Sequence, residues 1–300
     1  MPRISIILVN WNGAIDTIEC IRSLKKCQYT NFEIIVVDNN SERNDVELLK
    51  KEFSSHIKIL KNKTNLGFAG GVNTGINFAL RSGSDYLLLL NNDTVVEPDF
   101  LDFLIEQGEK NEDIGILVPK ICYYSAPHII WSAGGYISRL RASGFSYGDG
   151  KHEEKFNNSK FVTFGSGCCL LIKANVLKKI GLFDENYYLY LEDADFCYRV
   201  KNAGYKIFYV GRSKILHKVN VASTRNIDVL PLYFITRNRL YFARKFFKGW
   251  FLISTLYLIL TSILKSLLWT IKGDLNRVEA VRLAFTDFFK RKFGAANYFK

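Results

Sequence analysis

The chain of 300 residues has little of what builds disordered, repetitive or disulfide-stapled proteins. Only five prolines are present and 48% of the residues are hydrophobic, which excludes a disordered chain and calls for a packed core. No repeat with a period of 20–50 residues is visible. Its six cysteines, Cys20, Cys27, Cys122, Cys168, Cys169 and Cys197, show no CxxC spacing and no paired framework, which fits a reduced, cytosolic compartment. Cys168 and Cys169 are expected to pack as small apolar residues. A signal peptide is not expected, because the apolar run from Ile4 to Val9 is short and stops at Asn10-Trp11-Asn12-Gly13. The glycine-rich stretch from Asn65 to Gly75 fits neither G-x-G-x-x-G nor G-x-x-x-x-G-K-[ST], and no lysine sits where a phosphate-gripping loop needs one.

What is present alternates between two periods. Ile4–Val9, Phe32–Val37, Ile57–Leu60 and Tyr86–Leu90 read as strands, and Ile15–Lys26 and Val46–Phe53 read as helices. Strand, helix, strand, helix, strand argues for βαβ units and a parallel sheet. A helix is expected through Ile76 to Leu80, with Asn73 near its start. Another is expected from Pro98 in its first turn to about Asn111. Ile114–Pro119 reads as a strand, and residues 122–160, including Trp131, read as a binding loop or lid.

The polar residues gather where the strands stop. Asn10 and Asn12, then Asp38 and Asn39, then Asn91, Asn92 and Asp93 each follow an apolar run. Any one is consistent with a turn. Three together point to a nucleotide crevice at the carboxyl edge of a sheet. Further on, Glu192, Asp193 and Asp195 stand among Tyr188, Tyr190 and Phe196. A carboxylate at a helix start, walled by aromatics, suits a general base, while complementing the helix dipole is the alternative. His217 beside an apolar run is by itself more typical of a packed residue than of a metal ligand.

These residues carry a resemblance. SIILVNWNG (5–13), VVDNNS (36–41), NLGFAGGVNTG (65–75), LNNDT (90–94), GLFD (181–184), YLEDADFCYR (190–199) and YFITRN (233–238) resemble, in order and spacing, family 2 glycosyltransferases of the GT-A fold, in the rhamnosyltransferase-like branch. The resemblance covers about residues 3–245. It implies an α/β, Rossmann-like, mostly parallel sheet flanked by helices; a helical, membrane-associating tail is expected to follow it. It implies an inverting transfer of a sugar, rhamnose as the first choice, from a dTDP- or UDP-linked donor to a hydroxyl of a glycan or lipid-linked glycan, assisted by Mg²⁺ or Mn²⁺. The residues it assigns to the nucleotide sugar are Val9, Asn10, Asn12, Asp38, Asn39, Asn65, Gly67, Asn73, Asn91 and Asn92. Asp93 and His217 are assigned to the metal, Asp193 with Glu192 to catalysis, and Trp131, Gly165, Ser166 and Gly167 to the acceptor. Asn91 departs from the D-x-D pattern of the family, which leaves Asp93 as the principal metal carboxylate. The implied division is a nucleotide-sugar half over 1–95, an acceptor and catalytic half over 96–245, and a basic amphipathic tail over 246–300.

The tail also stands apart by charge. Residues 237–300 carry 13 Lys and Arg against 3 Asp and Glu, while residues 1–236 carry 28 against 26. The uncharged run between Lys248 and Lys265 is 16 residues, short of the roughly 20 wanted for a bilayer span. Ser254, Thr261, Lys265 and Lys272 fall on one helical face, so an in-plane helix on an anionic membrane is expected. Packing on the catalytic domain, or a homodimer through the tail, is the alternative. The expected place is the inner face of a bacterial or archaeal cell membrane, with no nucleic acid as partner. A sugar nucleotidyltransferase and an inactive glycan- or lipid-binding scaffold are the competing functions. The first wants a basic glycine-rich loop after the first strand, and Asn10-Trp11-Asn12-Gly13 has no basic residue.

Overall fold

In a computed structural model, which describes residues 1–219, 228–296 and 298, one sheet organises the chain. Its first half is parallel. β1 (Ile4–Asn10), β2 (Phe32–Asp38), β3 (Lys58–Lys61) and β4 (Tyr86–Asn91) lie in the order β4-β1-β2-β3. α1 (Ala14–Leu24), α2 (Asp45–Phe53) and α3 (Gly67–Arg81) link them. The second half is mixed. β11 (Cys169–Lys173) runs antiparallel between β4 and β6 (Ile114–Tyr123), and β12 (Lys206–His217) pairs parallel with β6. β5 (Thr94–Val96) and β10 (Lys160–Val162) pair antiparallel with β12.

Period-two alternation sorts the strands between two cores. Ile4, Ile6, Leu8, Leu88 and Leu90 face α1, α2 and α4 (Phe100–Lys110), whereas Ile7, Leu87 and Leu89 face α3, α5 (Ala174–Ile180) and α6 (Glu192–Asn202). The four leucines of β4 are all 3% exposed or less, as a strand covered on both sides requires. All six cysteines are free and buried.

Three expectations are corrected. α3 begins at Gly67 rather than near Asn73, because Gly71 and Gly75 let the helix lie on Val9 and Ile7, where a Cβ would collide. Pro98 precedes α4 instead of opening it. Residues 122–160 are not one lid: β7 (Ala126–Ser132) pairs with β6, and β8 (Gly135–Ser138) forms a two-stranded sheet with β9 (Ser143–Ser146).

After the sheet come α7 (Val229–Phe246), α8 (Phe251–Ile271) and α9 (Leu275–Phe289). α7 and α9 share a small core of Leu232, Tyr233, Phe234, Ala280, Val281 and Ala284. α8 buries only Ser254 and Leu258. Its helix continues through Lys265, so the segment Lys248–Ile271 is long and apolar enough to cross a membrane, and length does not exclude a span. Nor is the polar stripe continuous at the surface. Ser254 Oγ donates to Arg139 O over 2.8 Å, turned toward the body, and Thr261 bonds back to Tyr257 O.

Candidate active site

The carboxyl ends of β1, β2 and β4 stand level, with Asn10 opposite Asp38 and Val9 opposite Asn91. Their polar residues first satisfy one another. Asn10 Nδ2 donates to Asp45 Oδ2 over 2.9 Å and to Ser41 Oγ over 3.1 Å, while Asn12 Oδ1 accepts from the Glu42 N–H. Asn39 donates to Asn65 Oδ1 and to Gly67 O, each over 2.9 Å, tying β2 to the start of α3. The Asp38 oxygens accept only long contacts of 3.3 Å, from Asn10 Nδ2 and the Ser41 N–H, which leaves acceptor capacity for a ligand.

Beside this edge lies a cavity of about 620 Å³. Asn91, Asp93, Trp131, Ser166, Gly167, Glu192, Asp193 and His217 all line it, although they come from widely separated parts of the chain. β12 pairs His217 with Thr94 of β5, and this register brings His217 Nε2 to 3.1 Å from Asp93 Oδ1. The edge of Trp131 packs on the imidazole at 4.7 Å between ring centroids. Burial alone would raise the Asp93 carboxyl. The hydrogen bond and charge of His217 outweigh it and hold the group below its ordinary value. His217 Nδ1 is buried without a hydrogen-bond partner.

Asp93 and His217 are spaced as two ligands of one divalent cation would be. Two ligands at about 2.1 Å and a right angle stand about 3.0 Å apart, close to the 3.1 Å between His217 Nε2 and Asp93 Oδ1. Among the described residues no group of three or more His, Cys, Asp or Glu could hold a metal. The pair therefore suits an ion that takes its remaining ligands from phosphate oxygens and water, the usual Mg²⁺-like arrangement.

On the facing wall, α6 opens with Glu192 and Asp193. Asp193 Oδ2 accepts the Gly167 N–H over 2.9 Å and Oδ1 accepts the Ala194 N–H over 2.7 Å. Burial raises both carboxyls, and Glu192 is also pushed up by the charges of Asp193 and Asp195. Glu192 Oε2 has no partner, whereas backbone N–H groups stabilise the ionised form of Asp193. Of the two, Glu192 therefore holds a proton more tightly and Asp193 favours the ionised form more. Asp195 faces elsewhere, bound by Arg199 over 2.6 Å and by Lys245 over 2.5 Å.

The segment that leads into α6 is strained. Tyr188, Tyr190 and Leu191 have φ of 63°, 68° and 70°, and left-handed backbone at non-glycine residues costs about 1–3 kcal/mol each. The tyrosines before Glu192 are its sequence signal, but the backbone conformation has none. Phe68, Phe164, Pro231 and Ile235 give the cavity an apolar wall that the sequence did not mark.

Several expected site residues lie away from the cavity. Asn73 sits within α3, where Nδ2 donates to Phe183 O and Glu185 and Oδ1 accepts the Phe183 N–H, so it braces the loop after α5. Asn92 donates to Thr17 Oγ1 over 2.8 Å and holds the β1–α1 turn. Val9 packs against α3 at Gly71. Gly165 is buried against Val118, with its N–H on Cys197 Sγ.

Comparison with known proteins gives the family and the fold. The family model described as glycosyl transferase family 2 matches residues 5–181. The chain is 27% identical over 243 residues to the low-salt glycan biosynthesis hexosyltransferase Agl10 of Haloferax volcanii, covering 80% of this chain and 75% of that protein. It is 24% identical over 225 residues to an N-acetylglucosaminyl-diphospho-decaprenol L-rhamnosyltransferase of Mycobacterium tuberculosis, covering 66% of this chain and 70% of that one. Two solved structures share the fold. GalNAc-T7 with UDP, GalNAc and Mn²⁺ has a TM-score of 0.60 at 17% identity, over 72% of this chain and 43% of its own. The mannosyltransferase PcManGT of Pyrobaculum calidifontis, in complex with GDP-Man and Mn²⁺, has a TM-score of 0.57 at 12% identity, over 97% of this chain and 88% of its own. A match across more than half of the chain, on a GT-A-like fold, makes this protein a glycosyltransferase of family 2.

Proposed function

We propose that the cavity binds a nucleotide sugar with its diphosphate toward Asp93 and His217, and that Asp193 takes the proton of an acceptor hydroxyl as the sugar is transferred with inversion. The observation that carries this is the placement of Asp193 and the Asp93–His217 pair on one cavity. A hydroxyl is a poor nucleophile, and a positioned carboxylate base contributes about 10²–10⁴-fold. Asp193 is suited to the task because burial raises its basicity while the N–H groups of Gly167 and Ala194 favour its ionised form. A divalent ion bound at Asp93 and His217 would offset the charge developing on the departing nucleoside diphosphate. Asn91 and Asp38 supply polar groups for the nucleoside along the sheet edge, whereas the Asn39 amide is already engaged by Asn62, Asn65, Leu66 and Gly67 and shapes that edge instead. Residues 1–95 thus serve the donor and residues 96–245 the acceptor and the chemistry.

A dTDP-linked rhamnosyl donor is the first choice, supported by the activity named for the mycobacterial relative; a UDP-linked hexose is the second. The acceptor is a glycan or lipid-linked glycan, for which Ser166, Gly167 and Trp131 are available on the lining of the same cavity. We further propose that the tail over 246–300 holds the enzyme on the inner face of a bacterial or archaeal membrane. Leu252, Leu256, Leu260, Leu264, Leu267 and Ile271 of α8 are exposed, and exposed Lys272, Lys290 and Arg291 suit anionic lipid. A screen of nucleotide sugars for donor hydrolysis and thermal stabilisation, with and without Mn²⁺, tests the function. Stabilisation by at least one donor is expected, and no response to any would contradict the proposal.

A further inference from the structure

The strained segment from Tyr187 to Leu191 delivers the two carboxylates to the cavity, and α7 holds it. Every carbonyl from Asn186 to Tyr190 is engaged by a donor. Asn238 Nδ2 stands 2.9 Å from Tyr187 O, from Leu189 O and from Tyr190 O. Arg237 Nη2 reaches Asn186 O at 3.3 Å and Tyr187 O at 3.2 Å. The Phe68 N–H, at the start of α3, donates to Tyr188 O over 2.8 Å. Arg237 and Asn238 are 1% and 0% exposed. Arg237 Nε also donates to Asn238 Oδ1 over 3.0 Å. That bond leaves the amide one sensible orientation, with its NH₂ toward the three carbonyls.

Left-handed backbone at three non-glycine residues persists only where the surroundings over-determine it. Here much of the over-determination comes from Asn238, a side chain that does not line the cavity. Leu189 and Tyr190 line the cavity themselves, and Glu192 and Asp193 follow directly after Leu191. We infer that Asn238, oriented by Arg237, is a positioning residue for the transfer reaction, acting through the carbonyls of residues 187, 189 and 190 to aim Asp193 at the cavity. The inference rests on the proposed role of Asp193 as base.

Asn238→Asp separates this role from packing, because it keeps the shape and the partner for Arg237 but sets an acceptor against three acceptors. Nucleoside diphosphate release from dTDP-rhamnose and UDP-glucose with Mn²⁺ is the activity readout, for wild type, Asn238→Asp, the milder Asn238→Ser and Asp193→Asn. A misplacement near 1 Å costs about a hundredfold, so kcat of Asn238→Asp is expected to fall about ten- to hundredfold, with donor KM changed less than about threefold. Asn238→Ser, which keeps one donor hydrogen, should lie between it and wild type, and it decides the matter if Asn238→Asp does not fold. A carbon-13 titration of the Asp193 carboxyl needs no turnover, and its midpoint should move toward the ordinary aspartate value in the variants. A folded variant with wild-type kcat and an unmoved midpoint would overturn the inference; where neither sugar is turned over, the unmoved midpoint alone would do so. Full activity in Asp193→Asn would instead overturn the base assignment, whereas an inactive Asp193→Asn beside an unimpaired Asn238→Asp would defeat the positioning role alone.

Discussion

The Gly167 N–H donates to Asp193 Oδ2 over 2.9 Å, joining the loop before β11 to the first turn of α6. Two parts of the chain that line the cavity are thereby fixed to each other. A Cβ at Gly167 would stand 3.3 Å from Phe68 Cε1 and 3.4 Å from Asp193 Cβ, with the N–H retained. Gly167→Ala is therefore expected to fold and to lose only several-fold in turnover. Gly67→Ala differs, because its φ is +70° and a Cβ would run into the Tyr188 carbonyl. It should lose more than about 1 kcal/mol of stability. Thermal unfolding and turnover of the two variants, measured together, check the contrast.

Removal of divalent metal should abolish transfer, and Mn²⁺ should restore it. Asp93→Asn and His217→Gln each remove one side of the 3.1 Å pair, so each should raise the Mn²⁺ concentration needed for half-maximal activity by about tenfold or more. A metal titration of activity for the three proteins is the check. Equal Mn²⁺ requirements would contradict the metal assignment.

Much of this site is legible in the sequence because strands end abruptly. Four leucines followed by Asn91-Asn92-Asp93 mark a buried strand and its polar edge, and the level ends of β1, β2 and β4 follow from the βαβ pattern. The α3 start at Gly67 is hidden because glycine is a poor helix former; close approach to Val9 and Ile7 decides there instead. β8 and β9, four residues each, are too short and too mixed in polarity for a period-two signal. Asn73 misleads for a related reason: an amide in a glycine-rich stretch resembles a ligand, yet tertiary contacts turn it to Phe183. The carbonyl clamp by Asn238 depends on long-range contacts that no local pattern records.

The pH dependence of stability should carry the signature of Glu192. Its carboxyl is raised by burial and by neighbouring negative charge, so the folded state holds its proton more tightly than the unfolded state does. The sign follows from linkage: this contribution favours folding at low pH and is lost as pH rises from the ordinary glutamate value through the raised one. Glu192→Gln should flatten that alkaline-side decline. Melting temperatures across pH 4 to about pH 9 would show it, and an unchanged slope would contradict the raised carboxyl of Glu192.

Binding to membranes should depend on α8. Flotation with vesicles containing anionic phospholipid should carry the full chain upward, and neutral vesicles should carry less of it. Paired Leu256→Asp and Leu264→Asp substitutions fall on exposed positions, so they should weaken flotation while leaving the fold intact. Flotation that ignores both lipid charge and these substitutions would contradict the membrane role of the tail.

The transfer rate of Asp193→Asn, compared with wild type at saturating donor and Mn²⁺, bears most directly on the mechanism. The amide keeps the shape and can still accept from Gly167 or Ala194, but it cannot take a proton. A loss of about 10²–10⁴-fold in kcat, with donor binding retained, is expected. Full activity in that folded variant would contradict the assignment of Asp193 as the base.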